Sequence, residues 1–149
     1  MEVRLDTLGR WFHEIHERYR QVVVDLAPEA LSWTPGPETN SIAVLVRHTV
    51  ASEKGMLFGL AGHPVDRNLP ADFVSRPTTA SELLRLLDEA DDRVDEMFAL
   101  ISEDALTASY SRPHDQVLTG VEWAVNTYGH AKEHIAHAEL TAQLLRFTR

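Results

Sequence analysis

The chain has 149 residues, 14 basic and 23 acidic side chains, a formal net charge of −9 and no cysteine. One domain spanning residues 1–149 is expected at this length, with enough chain to bury a core, and the negative charge disfavours nucleic-acid and anionic-membrane partners, which select basic surfaces. Without cysteine there is no disulfide and any metal must take nitrogen and oxygen donors, and without a signal-peptide core or a membrane-length apolar run the expected location is cytoplasmic.

Leu5, Leu8, Trp11, Phe12, Ile15, Tyr19, Val22, Val23 and Leu26 recur at three- and four-residue steps and predict a helix over 4–26. Pro28 closes it, and the proline-rich stretch PEALSWTPGPETN reads as a loop. Asn40 or Ser41 caps a second helix over 41–62, whose inner face carries Ile42, Leu45, Thr49, Ser52, Met56 and Gly59, with His48 on or beside it. Residues 63–78, with three prolines, are irregular. Thr79 and Glu82 have capping-box spacing and open a third helix to about residue 102, acidic outside and apolar at Leu83, Leu86, Leu87, Ala90, Val94, Met97 and Ile101. Residues 103–118 form a connection with no strand alternation. Thr119 and Glu122 repeat the capping spacing, and the last helix runs to about 147. The expected fold is all-α, a four-helix bundle with long crossover connections.

The last helix contains HAKEHIAH, with His130, His134 and His137 in eight positions. At 100° per residue, His134 and His137 lie about 40° and −20° around the axis from His130. Trp123, Thr127, Thr141, Leu144 and Leu145 extend that face, which is expected to enter the core. A histidine on such a face is commonly a hydrogen-bonded core residue, and that reading stays open. Stacked neutral imidazoles, however, each need a partner for their polar atoms, and one divalent metal satisfies several at once. The i, i+4 pair repeats the spacing by which HExxH helices present two ligands to zinc. His48, alone among IAVLVRHTVA, is the best third donor. His13 and His16 flank Glu14 in a charged stretch and are not assigned as ligands, and His63 and His114 lie beside prolines as candidates for a pocket mouth. No glutamate is followed three residues later by histidine, so the ExxH pairs of di-iron bundles are missing.

The segments LSWTPGPETNSIAVLVRHTVASE and YGHAKEHIAHAELTAQLLR, in this order and separation, resemble the DinB-like (DinB/YfiT-like) metalloenzyme superfamily. That resemblance implies a four-helix bundle with a long crossover and a divalent metal, zinc, nickel or iron, on His48, His130 and His134. Family members often carry glutamine where His137 stands, so His137 is a further contact, a group behind the ligands or a base. The superfamily includes thiol S-transferases that use mycothiol or bacillithiol.

Three neutral histidines would leave a bound ion its full Lewis acidity towards water or a thiol. With no cysteine in the chain, a nucleophilic sulfur would come from a small molecule. Two functions follow. One is a metal-dependent enzyme, a low-molecular-weight thiol S-transferase or a related hydrolase or isomerase acting on a small molecule, with Arg47, Arg67 and Arg76 as local cations. The other is a catalytically silent bundle acting through ligand binding or as a homodimer. No residue is assigned as the catalytic acid.

Overall fold

A computed structural model of the chain describes residues 5–148. In chain order the elements are α1 (Leu5–Val23), α2 (Pro28–Ser32), α3 (Ile42–Leu60), α4 (Leu69–Asp72), α5 (Ala80–Phe98), α6 (Glu103–Thr107), β1 (Ser109–Arg112), β2 (Gln116–Thr119) and α7 (Gly120–Phe147). The four long helices form the expected bundle. α1 and α3 each pack against both α5 and α7. Consecutive long helices α1 and α3 therefore sit across the diagonal, as do α5 and α7, and this is why the connections between them are long.

The ends of the helices follow from local chemistry. The Ser41 hydroxyl accepts from Val44 N and caps α3. Thr119 and Glu122 make a complete capping box at the start of α7. At α5 only half of the expected box forms: Thr79 accepts from Glu82 N, but the Glu82 carboxylate turns to Arg76 at 2.7 Å. α1 and α5 stop at Val23 and Phe98, short of the expected ends.

Two expectations are corrected. PEALS is helical, because proline at the first helical position presets φ and lacks an N–H that would be unsatisfied there anyway. The connection before α7 contains an antiparallel hairpin pairing Ser109 with Thr119 and Arg112 with Gln116. Its three-residue loop turns through left-handed His114 (φ 64) and Asp115 (φ 58), a conformation both residue types tolerate better than most. Four-residue strands containing Ser, Arg and Gln leave too little alternation to read.

The core is built on Leu8, Phe12, Ile15 and Tyr19 of α1, Leu83, Leu87 and Val94 of α5, and Ala131, Ile135 and Ala138 of α7, around an α3 buried from Ile42 to Val46 without interruption. On α7 the buried stripe is Trp123, Ala124, Thr127, Ala131, Ile135, Ala138, Thr141 and Leu145. The expected face enters the core in part: Trp123, Thr127, Thr141 and Leu145 are buried, His130 and His134 flank the stripe partly buried, and His137 and Leu144 are exposed. The small side chains Ala131 and Ala138 let α7 approach its neighbours while the larger imidazoles occupy the flank. Across the diagonal, the Tyr19 hydroxyl reaches Thr49 Oγ1 at 2.8 Å inside the core.

Gly120 marks the tightest backbone approach. A Cβ there would lie 2.2 Å from the Ala105 carbonyl oxygen and 2.8 Å from Leu106 Cα, backbone atoms that cannot swing aside. Gly120→Ala should therefore destabilise the protein by about 1–3 kcal/mol, the usual cost of overpacking, despite alanine's better helix propensity. Urea denaturation of the two proteins checks this.

Candidate metal centre

His48 from α3 and His130 and His134 from α7 point their Nε2 atoms at one another. His130 Nε2 lies 3.1 Å from His48 Nε2 and 2.9 Å from His134 Nε2. α3 and α7 are adjacent in the bundle, so His48 faces the i, i+4 pair directly. Burial is the main influence on all three rings and lowers their pKa. His130 adds to this for His48, Arg67 for His130, and His130 and His48 for His134, which falls to about 4. The rings are therefore neutral at neutral pH. Converging lone pairs at this spacing suit a cation, since metal–nitrogen bonds of about 2.0–2.1 Å set neighbouring donors about 3.0–3.4 Å apart. The trio is one of two groups among the described residues whose donor atoms are close enough to hold a metal.

The groups behind the trio are uneven. His48 Nδ1 lies 3.3 Å from Asp72 Oδ2 and 3.2 Å from Arg67 Nη2, and the same Asp72 oxygen accepts from Arg67 at 2.6 Å, so the carboxylate is the partner for an Nδ1–H. An Nδ1–H aimed at Asp72 leaves Nε2 as the lone-pair atom, the usual arrangement behind a metal-binding histidine. Nδ1 of His130 and of His134 are buried without a protein partner.

The trio lies between two cavities. The larger, of about 710 Å³, is lined by His48 and His130, by Arg67, Leu69 and Phe73 from the 63–78 connection, and by Arg112, His114 and Leu118 from the hairpin, with Trp123 and Glu133 from α7. Arg112 was not singled out by sequence. It lies over the Trp123 ring at 4.0 Å and makes no ion pair among the described residues. Burial and then Arg67 lower its pKa, as expected for two cations sharing one cavity. The other named arginines work elsewhere: Arg47 donates to Thr78 and the Val74 carbonyl, and Arg76 pairs with Glu82. The smaller cavity, about 360 Å³, is mostly apolar and is lined by His134, His137, Leu45, Leu140 and Leu144. His137 lines this cavity with its ring centre 5.7 Å from that of His134.

The second group with metal-binding spacing is His13, His16 and Asp91. The sequence did not assign it because His13 and His16 lie in a charged stretch around Glu14, yet His16 is fully buried. The i, i+3 pair on α1 faces α5, and the signal lies in DEADDRVDE, whose Asp91 and Asp95 are one turn apart. His13 Nδ1 and His16 Nδ1 are each 2.6 Å from the same Asp91 Oδ1. On their far sides His13 Nε2 lies 2.7 Å from Asp95, and His16 Nε2 lies 2.8 Å from Glu53, which is itself 1% exposed. Arg20 pairs with Asp91 Oδ2 and with Asp88. For His16, burial works to lower the pKa, but the bonds to Asp91 and Glu53 outweigh it and push it up to about 9.

Glu53→Ala removes one member of a buried ionic pair and leaves the His16 Nε2 side without its acceptor. The expected loss is about 3–5 kcal/mol, the range for breaking a buried pair from one side. Thermal or urea unfolding reads it, and a loss below about 1 kcal/mol would show that the pair is expendable.

A family model described as the DinB superfamily matches residues 12–138. No curated protein matches the chain. Two of the solved structures that share the fold illustrate the likeness. One is a conserved protein from Enterococcus faecalis, with a TM-score of 0.74, 16% identity, and coverage of 97% of this chain and 98% of that one. The other is YfiT from Bacillus subtilis, described as a probable metal-dependent hydrolase with an unusual four-helix-bundle topology, with a TM-score of 0.74, 16% identity, and coverage of 97% and 93%. With a family match over most of its length and the same bundle, this chain belongs to the DinB superfamily.

Proposed function

We propose that the protein is a divalent-metal-dependent enzyme whose ion, zinc, nickel or iron, is held by His48, His130 and His134. Its reaction is the transfer of a low-molecular-weight thiol, of the mycothiol or bacillithiol kind, to an electrophilic small molecule. The observation that carries this reading is the convergence of three neutral Nε2 atoms at the wall of a cavity that also holds Arg67 and Arg112. When bound, the cation supplies Lewis acidity that brings the pKa of a thiol or water near it towards neutrality.

The chain's own residues do the rest. Asp72 orients the His48 ring through Nδ1. Arg112, stacked on Trp123 and without a carboxylate partner, is placed to bind an anionic group of the thiol or its acceptor. Leu69, Phe73 and Leu118 give the same cavity an apolar wall. Since the chain has no cysteine, the sulfur belongs to a bound molecule. In the transfer a sulfur–carbon bond forms as the bond to the leaving group breaks, the leaving group keeps that electron pair, and the thiol proton is lost. Glu133 and His114 are the titratable cavity residues outside the trio, available to carry protons. Hydrolysis is the second reading, favoured by the likeness to YfiT, and needs the same site with water as nucleophile.

Elemental analysis of protein purified without an affinity tag should find metal that is lost from the trio when His48, His130 or His134 is changed to alanine. His137→Gln should keep it. Full retention in all three alanine variants would remove the assignment.

A panel of mycothiol, bacillithiol, coenzyme A and glutathione with a chlorinated aromatic or bimane acceptor tests the reaction. Thiol consumption should exceed the buffer rate and vanish in His48→Ala. Arg112→Ala should raise KM about tenfold to a hundredfold, as loss of a charge-assisted contact worth about 1.5–3 kcal/mol requires. Ester or amide cleavage without thiol consumption would establish the hydrolase reading instead, and neither activity would leave a binding module.

A further inference from the structure

We infer that His13, His16 and Asp91 form a second divalent-cation site, separate from the His48 trio and sharing no ligand with it. The argument begins with protons. Ionised carboxylates only accept hydrogen bonds, so His13 Nε2 facing Asp95 and His16 Nε2 facing Glu53 must both carry hydrogen. A neutral imidazole has a single N–H. With it committed outward, each Nδ1 of a neutral ring would present a lone pair to Asp91 Oδ1, 2.6 Å from each, whereas a protonated ring donates there. Three acceptor atoms in contact repel unless something positive lies between them. Either two protons or one metal ion meets that need.

Three features favour the metal ion. Metal-ligating histidines characteristically donate their other ring N–H to a carboxylate, which fixes tautomer and ring orientation, and here both rings do so. The charge balance points the same way. Asp91, Asp95 and Glu53 contact the two rings, and the Arg20 guanidinium that pairs with Asp91 is shared with Asp88. One oxygen of buried Glu53 has no hydrogen-bond partner among the described residues. A divalent ion offsets most of that excess from a single point while the imidazoles stay neutral. Finally, Arg20 occupies Asp91 Oδ2, which leaves Oδ1 facing the rings.

The site is reachable. The side chains of His13 and Asp91 are 33% and 23% exposed, and a cavity of about 370 Å³ borders His13 and Asp95. The present spacing is that of proton bridges. A metal with bonds of about 2.0–2.2 Å needs donors about 3 Å apart, so Asp91 must part from both His13 and His16 by a few tenths of an ångström. Two imidazoles and one carboxylate select a first-row transition ion such as zinc, nickel, manganese or iron(II) rather than magnesium or calcium. Bound there, it would tie α1 to α5 and, through Glu53, to α3, a structural role.

The test uses His130→Ala/His134→Ala, which lacks two ligands of the other site. After equilibration with zinc and dialysis, wild type should hold two equivalents and this variant one. Adding His13→Gln and Asp91→Asn should bring it to none, with circular dichroism confirming the fold. The melting temperature of the double variant should rise with zinc concentration, as binding to the native state requires, and cease to do so with His13→Gln. If wild type holds one ion and the double variant none, protons alone fill the cluster and the proposal is wrong. An ion that survives His13→Gln and Asp91→Asn sits adventitiously on surface histidines, which also overturns it. A single wild-type ion that survives in the double variant but is lost with His13→Gln would uphold this site and remove the His48 trio.

Discussion

Both clusters depend on the burial of α3. That helix is apolar without a break from Ile42 to Val46 and lies against two neighbours, so each polar residue it carries must find a partner inside the protein. His48 turns to His130 and Asp72, Thr49 to Tyr19, and Glu53 to His16. These three contacts run along one helix and reach α7, the diagonal α1 and, through His16 and Asp91, α5. The polar groups of α3 thus register the bundle as well as furnish its chemistry.

The clusters solve the burial of imidazole in opposite ways. At His48, His130 and His134 Asp72 is, among the described residues, the one carboxylate within hydrogen-bond range of a ring, and desolvation holds all three rings neutral. At His13 and His16 carboxylates meet every ring nitrogen, and the same desolvation is overridden. A neutral ligand set leaves a cation its charge to act on a substrate, whereas a carboxylate-rich set quenches that charge and suits a structural tie. The contrast supports the proposed division, with catalysis at the first cluster and cross-linking at the second.

Local charge departs from global charge in the same molecule. The net charge of −9 is concentrated on surfaces such as the outer side of α5, while the cavity beside the His48 trio carries Arg67 and Arg112. A small anionic molecule is therefore compatible with an acidic protein. None of the helices described is long and apolar enough to cross a membrane.

The sequence by itself determined the four long helices, the caps at Ser41 and Thr119, and the pairing of His130 with His134, because these rest on interactions within a few residues of one another. His48 was legible as a third donor because a histidine set mid-helix in a mainly apolar stretch must be satisfied somewhere. The diagonal placement of α1 and α3, the hairpin that brings Arg112 over Trp123, and the meeting of His13 and His16 with Asp91 were decided only by tertiary structure. Each joins residues far apart in the chain, and local patterning carries no information on which faces will meet. For His16 it misled, since neighbouring glutamates mark a solvated face only where no other helix covers it. The histidine face of α7 shows the same limit. The expectation held at Trp123, Thr127, Thr141 and Leu145, but between them Ala131, Ile135 and Ala138 face the core and the imidazoles take the flank.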